Sequence, residues 1–149
     1  MNEAQRQQFL TSFSERVNDV VVEIKMAELS ASARTFSEMN LIPQAKQSLW
    51  GLIVVCSRSL YFYVPSAEQA LMSVVSAGAS ANYVEEQIFC FNNIDGLQLR
   101  VAKKSLFKFF CAEKIEFSFL NSGREVKGVF SVDGGAQKLL DSMKQAYRA

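Results

Sequence analysis

The chain has 149 residues, 49% of them hydrophobic and 21% charged, a composition that fits one globular domain with a buried core. Its 16 basic and 15 acidic side chains leave a formal net charge of +1, so the overall charge gives no support to a nucleic-acid-binding protein. Histidine is absent, which excludes catalysis by a thiol–imidazole or hydroxyl–imidazole pair and removes the commonest zinc ligand.

The sequence also predicts the compartment. The first eight residues are polar and do not resemble the start of a secretory signal. The longest apolar run, residues 49–56, is far too short to span a bilayer. Cys56, Cys90 and Cys111 each lie in an apolar stretch, and an odd number of cysteines cannot all pair within one chain. We therefore expect buried, reduced thiols and a cytoplasmic protein.

The first third of the chain has the spacing of an amphipathic helix. Apolar residues recur at intervals of three and four: Phe9, Leu10, Phe13, Val17, Val20, Val21 and Ile24. The simplest interpretation is one helix over residues 3–28. Its β-branched end, Val20-Val21-Val22, could alternatively begin a strand, so the C-terminal boundary of the helix stays open.

Two apolar and aromatic runs of strand length follow, at residues 48–56 and 60–64. Ser57-Arg58-Ser59 separates them and suits a tight turn, which predicts a hairpin. Trp50 and the aromatic residues of the second run are expected to lie in the core. Residues 66–84 are predicted to be an insertion, with a short helix that a capping-box pattern favours and then a flexible loop.

The second half of the chain has the clearest strand patterns. An apolar segment precedes three segments in which apolar and polar residues alternate, at residues 88–91, 97–101, 115–119 and 126–132. Such alternation favours antiparallel pairing with one face exposed to water. Residues 134–148 then carry the apolar stripe of an amphipathic helix, and Asp133 is its predicted N-cap.

These elements predict a single α+β domain over residues 1–149, dominated by antiparallel sheet. Six or seven short strands leave sheet edges and a second face that need cover. We therefore expect a strongly bent sheet or a barrel closed by the C-terminal helix. The predicted N-terminal amphipathic helix covers residues 3–28, and the C-terminal helix covers residues 134–148. The antiparallel strands lie between them in residues 36–132, which include the insertion at residues 66–84.

Two segments resemble strands of GRAM and bacterial pleckstrin-homology-like (PH-like) domains. The opening hairpin of those domains has a glycine-leading strand, a polar turn and a leucine–aromatic strand, and it resembles residues 50–63, WGLIVVCSRSLYFY. The strand and isoleucine-bearing turn that follow it resemble residues 87–97, QIFCFNNIDGL. The resemblance covers residues 36–148 and implies a PH-like fold closed by the C-terminal helix. It also implies a binding role, since some such domains bind phosphoinositides and many bind proteins.

The strongest local charge is a basic cluster of Arg100, Lys103, Lys104 and Lys108, with interleaved phenylalanines and no acidic residue from position 98 to position 110. A basic loop with an exposed aromatic side chain could rest on an anionic membrane, where each cation adds about 1 kcal/mol. In the other interpretation, the lysines solvate a hairpin tip while the phenylalanines fill the core. These four basic residues are the candidate ligand-binding site.

We expect a non-catalytic PH-like module that recognises a protein or peptide along an exposed strand edge or groove, with no cofactor, metal or nucleic acid. Peripheral binding to an anionic lipid surface through residues 100–108 is the alternative. A small chaperone-like adaptor and a hollow-sheet protein for a small ligand are further alternatives. The N-terminal helix is expected to pack on its own domain, and a homodimer through this helix is the other arrangement considered.

Overall fold

The computed structural model describes residues 2–66, 85–102 and 112–148. Its elements are α1 (Glu3–Val17), β1 (Val21–Ala31), α2 (Ala33–Glu38), β2 (Ser48–Cys56), β3 (Leu60–Val64), β4 (Gln87–Cys90), a 3-10 helix (Phe91–Asn93), β5 (Asp95–Val101), β6 (Glu113–Asn121), β7 (Arg124–Val132) and α3 (Ala136–Arg148). The α+β class, the antiparallel sheet and the two terminal helices are therefore confirmed. Beyond Ser66, the predicted helix and loop of the 66–84 insertion lie outside the described residues.

The predicted helix over residues 3–28 is wrong beyond Val17. Asn18 ends α1 in a left-handed conformation (φ 55°), and its N–H donates a hydrogen bond to the carbonyl of Ser14. The chain then forms β1, because the β-branched run Val20-Val21-Val22 favours the extended conformation. The alternative of a strand starting at these valines is confirmed, and the sheet begins earlier than predicted.

All seven strands belong to one antiparallel sheet in the order β4-β3-β2-β1-β7-β6-β5. The ring of Phe89 on β4 meets the ring of Phe119 on β6 at a centroid distance of 5.9 Å. In a flat sheet these two strands would lie about 24 Å apart, since five strand spacings separate them. The sheet is therefore curved, and its two sides are called here the concave face and the outer face. Among the described strands, β4 and β5 are edges, so the sheet is not closed.

The main core lies on the concave face. Phe130 is at its centre, with ring centroids 5.2 Å from Phe62, 5.0 Å from Phe117 and 6.1 Å from Phe91. The apolar stripe of α3 covers this core with Ala136, Leu139, Leu140, Met143 and Ala146. The hydroxyl of Tyr147 on α3 accepts a hydrogen bond from the Leu97 N–H at 3.4 Å and donates one to the carbonyl of Ile94 at 3.2 Å, next to the start of β5.

The start of α3 is held by two contacts other than the predicted Asp133 cap. The Asp133 carboxylate forms an ion pair with Lys25 of β1 at 2.7 Å, and the hydrogen bond and charge of Lys25 hold the pKa of Asp133 below its usual value. The N–H of Ala136 instead donates to the carboxylate of Glu113 on β6, at 3.3 Å. A carboxylate at this place also suits the positive end of the helix dipole.

α1 packs on the outer face of its own sheet, as expected. Phe9 and Phe13 are buried against Tyr61 and Tyr63 of β3, with ring centroids between 5.2 and 5.6 Å apart. The guanidinium of Arg16 lies over the Tyr63 ring at 5.9 Å. Because the phenylalanines of α1 are used within the domain, the alternative of a homodimer through this helix gains no support from the packing.

Asp19 ties the α1–β1 junction to the turn between β2 and β3. Its carboxylate accepts hydrogen bonds from the Ser59 hydroxyl (2.6 Å), the Val20 N–H (2.8 Å) and the Arg58 N–H (2.9 Å). Partial burial alone would raise the pKa of Asp19. The hydrogen bonds and the charge of Arg58 outweigh burial and hold this pKa below its usual value.

Replacing Asp19 by asparagine is expected to lower the free energy of unfolding by about 1 kcal/mol at pH 7, because a charged acceptor is lost. A depressed folded-state pKa stabilises the fold above the unfolded pKa of about 3.9, and this stabilisation is lost as the pH falls through the folded pKa. Urea unfolding of wild type and Asp19→Asn should therefore differ at neutral pH and converge in strong acid. A difference of equal size in both conditions would contradict the role given to the carboxylate.

Candidate functional site

A groove lies on the part of the outer face that α1 does not cover. It has a volume of about 840 Å³ and runs between α2 and strands β1, β5, β6 and β7, and its lining combines outward-facing side chains with Leu99, Phe117 and Val126 of the main core. Its polar lining consists of Ser30, Ser32, Arg34, Thr35, Glu38, Gln98, Arg100, Glu116, Ser118, Glu125 and Lys127. This surface is called the outer groove below.

The strand register arranges the outer groove in rows of side chains. The first row, from β5 through β6 and β7 to β1, is Arg100, Glu116, Val129 and Ser30. The second row, from β5 to β7, is Gln98, Ser118 and Lys127. The residues between these positions on each strand point to the concave face, so core packing fixes the direction in which the polar side chains project.

Three cation–carboxylate pairs balance the charge of the outer groove. They are Arg100–Glu116, Arg34–Glu38 with N and O atoms 3.9 Å apart, and Lys127–Glu125 at 3.6 Å. The last two separations are longer than a hydrogen bond, and the Arg34 and Lys127 side chains are 60% and 77% exposed. Water screens such pairs, so they add little to stability and their charged groups stay available to a ligand.

α2 forms one wall of the outer groove, and two hydroxyl groups fix its position. Ser32 is the N-cap of α2 and accepts a hydrogen bond from the Thr35 N–H at 3.2 Å. The Thr35 hydroxyl donates to the main-chain carbonyl of Lys127 at 3.0 Å, which attaches α2 to β7. Arg34 and Glu38 are therefore presented at the groove from a helix that is anchored to the sheet.

The predicted ligand-binding residues are only partly described. Lys103, Lys104 and Lys108 lie outside the described residues. Arg100 lines the outer groove, and its guanidinium pairs with Glu116 on the neighbouring strand. Arg100 is therefore the described residue of the predicted basic cluster, and its charge is paired with a carboxylate in a surface of mixed charge.

An exposed apolar pair lies on the same outer face. The side chains of Trp50 and Met26 are 38% and 41% exposed, so the expectation that Trp50 lies in the core is wrong. The β1–β2 register places Glu28 opposite Trp50, which makes Met26 and Trp50 diagonal neighbours. The side-chain carbonyl of Gln44 accepts a hydrogen bond from the main-chain N–H of Trp50 at 3.1 Å and helps to fix this part of β2.

The two described cysteines differ in how far they are buried. Burial raises the pKa of the Cys56 thiol to about 11, so this thiol stays protonated near neutral pH. Cys90 is partly buried, and Cys111 lies outside the described residues. Within residues 2–66, 85–102 and 112–148, no three cysteine, aspartate or glutamate side chains form a group that could hold a metal ion.

No protein-family model, curated protein or solved structure matches the chain. Of the helices described, none is long and apolar enough to cross a membrane. Among the described residues, the outer groove and the exposed pair of Trp50 and Met26 are the candidate functional surfaces.

Proposed function

We propose that this chain is a non-catalytic PH-like binding module that recognises a protein or peptide in the outer groove. The observation that carries the proposal is a groove of about 840 Å³ with balanced charges, on the same face as an exposed tryptophan. Tryptophan, methionine and arginine are enriched where proteins bind one another, and buried tryptophan contacts often dominate the affinity. A bound peptide would lay its polar groups along the rows of the outer groove and an apolar side chain against Trp50.

The topology supports the PH-like part of the proposal. The edge strands β4 and β5 are joined by residues 91–94 alone, a connection that reaches at most about 19 Å. A flat seven-stranded sheet would separate its edges by about 29 Å, so this sheet must bend strongly. Residues 50–63, which resemble the opening hairpin of PH-like domains, lie in β2 and β3, and β1 adds a strand ahead of them.

A protein partner is favoured over an anionic lipid surface by the charges of the outer groove. Lipid surfaces attract clusters of unpaired lysine and arginine side chains. Arg34, Arg100 and Lys127 are instead each accompanied by a carboxylate. The lipid alternative depends on the lysines of residues 100–108 that lie outside the described residues.

The remaining alternatives have less support. A hollow-sheet protein needs an open concave face to hold a small ligand, whereas phenylalanine rings and α3 fill this face in the described part of the chain. A chaperone-like adaptor would share the protein-binding role but would use α1 to dimerise. The packing of Phe9 and Phe13 on β3 leaves these side chains unavailable for that contact.

Selection from a displayed library of random peptides, with the purified chain as bait, is expected to yield peptides that bind the outer groove. The double variant Arg34→Glu, Lys127→Glu reverses two exposed groove charges and should raise the Kd of a selected peptide about tenfold or more. The matched control is Lys138→Glu, Lys144→Glu, which makes the same change of net charge on α3. It should leave the Kd within about twofold, since small surface effects rarely exceed 0.5 kcal/mol.

Equal weakening by the two double variants would indicate a non-specific effect of charge and would contradict binding in the outer groove. Co-sedimentation with neutral and anionic vesicles separates the lipid alternative. Salt-sensitive binding to anionic vesicles that is lost in Lys103→Glu, Lys104→Glu, Lys108→Glu would favour a lipid surface as the partner.

A further inference from the structure

The two edges of the sheet differ in how they are protected against pairing with another strand. On β5, the register shifts between Asp95 and Gln98, Arg100 carries a charge, and the Tyr147 hydroxyl accepts the N–H of Leu97 at 3.4 Å. Bulges, charges and covering groups are the usual means of blocking an edge. β4, with the sequence Gln-Ile-Phe-Cys, has no charge, no proline and no register shift against β3.

The alternation of hydrogen bonds across the sheet shows which main-chain groups of β4 point away from β3. The N–H of Cys56 donates to the carbonyl of Ser59 at 2.8 Å. The main-chain N–H and C=O groups of every second residue from Ser59 onward therefore point toward β2. The main-chain groups of the intervening residues of β3 point toward β4. The hydrogen bonds between β3 and β4 therefore join Phe62 to Phe89 and Val64 to Gln87.

It follows that the N–H and C=O of Ile88 and the N–H of Cys90 point away from β3. In the described part of the chain, none of these groups has a hydrogen-bond partner across the edge. The side chain of Ile88 lies on the outer face and is 39% exposed.

We propose that β4 pairs antiparallel with β4 of a second copy of this chain, centred on Ile88, so that the two sheets join at this edge. In this register the Ile88 N–H and C=O of each copy bond those of Ile88 in the other. The Cys90 N–H of each copy then donates to the carbonyl of Glu86 in the other, since residues two apart on a strand face the same edge. This inference does not depend on what the outer groove binds.

The register is self-complementary, as an interface with two-fold symmetry requires. Ile88 faces its own copy on the outer face, so the exposed part of this apolar side chain is covered. Glu86 faces Cys90, so no two like charges lie opposite one another across the new pair. The net charge of +1 per chain adds almost no repulsion between copies.

Sedimentation velocity from micromolar to millimolar concentration tests the proposal on three proteins. Wild type and the control Ile88→Val are expected to form a dimer as the concentration rises. Ile88→Pro removes an N–H that makes no bond to the described residues, a change that an edge strand tolerates, and it should raise the dimer Kd at least about tenfold. Circular dichroism verifies that each variant is folded.

A second variant tests the register even if the proline variant does not fold. In a hydrogen-bonded antiparallel pair the facing Cα atoms are about 5.5 Å apart, a separation that a disulfide spans. Ile88→Cys should therefore oxidise to a covalent dimer, whereas wild type with its native cysteines should not under the same conditions. Wild type that stays monomeric to millimolar concentration, an undiminished dimer in folded Ile88→Pro, or no covalent dimer in Ile88→Cys would each overturn the proposal.

Discussion

Replacing Phe130 by alanine is expected to lower the free energy of unfolding by about 3–5 kcal/mol. The side chain is fully buried at the centre of the concave face, and its ring contacts those of Phe62, Phe91 and Phe117. These three rings come from β3, the 3-10 helix and β6, which cannot all move inward to fill the cavity. Since domains of this size are stable by only about 5–15 kcal/mol, the variant should be close to unfolding.

Urea unfolding followed by circular dichroism measures the loss. Leu120→Ala is a suitable control, because it also shortens a large apolar side chain, on the adjacent strand β6, but one that is 50% exposed. It should cost less than about 1 kcal/mol. Equal losses in the two variants would mean that the concave face is not the centre of the core.

Replacing Gly51 by valine is expected to destabilise the fold by about 3 kcal/mol or more, at the upper end of what overpacking costs. A Cβ atom at this position would lie 2.8 Å from the main-chain oxygen of Tyr63 and 2.9 Å from the ring of Phe62. The oxygen can retreat only if β3 separates from β2, and the ring can retreat only into the filled core. The glycine of the β2–β3 hairpin is therefore required by the close approach of β3.

Thermal unfolding compares Gly51→Val with Ser131→Val, which introduces the same side chain on the outer face of β7. The control should change the free energy of unfolding by no more than about 0.5 kcal/mol. A wild-type melting temperature for Gly51→Val would show that β2 and β3 are not packed as closely as described.

The β2–β3 hairpin was predictable from sequence because its signals agree with one another. Residues 48–56 and 60–64 are apolar runs of strand length, and the three residues between them are polar, so propensity and pattern specify the same structure. The observed strands have these bounds. The alternating segments of the second half were located for the same reason.

β1 and α2 were harder to predict, for different physical reasons. Val17, Val21 and Ile24 happen to continue the helical spacing of α1, although Val21 and Ile24 lie on a strand that packs beneath the helix. α2 has only six residues, too few for a periodic stripe, and it is held by its Ser32 cap and by the contact of Thr35 with β7. The Ser32 cap was the one local signal that could have indicated it.

The candidate site could be predicted only in part, because strand register brings together residues that are distant in sequence. Arg100 belongs to the predicted basic cluster because no acidic residue occurs from position 98 to position 110, yet the β5–β6 pairing places Glu116 directly opposite. In the same way, Arg34 on α2 and Lys127 on β7 are distant in sequence but line the same groove. A run of charge in the sequence does not show which charges are neutralised in the fold.

The outer groove is tested most directly by titrating the isotope-labelled chain with a selected peptide and following its amide resonances by NMR. We expect the largest chemical-shift changes at Gln98, Ser118 and Lys127, which form one row of the outer groove, and at the neighbouring positions of α2. Matching changes in the Trp50 side-chain N–H would place the peptide on the exposed apolar pair as well. Shifts confined to β4 or α3, with the groove resonances unchanged, would contradict binding in the outer groove.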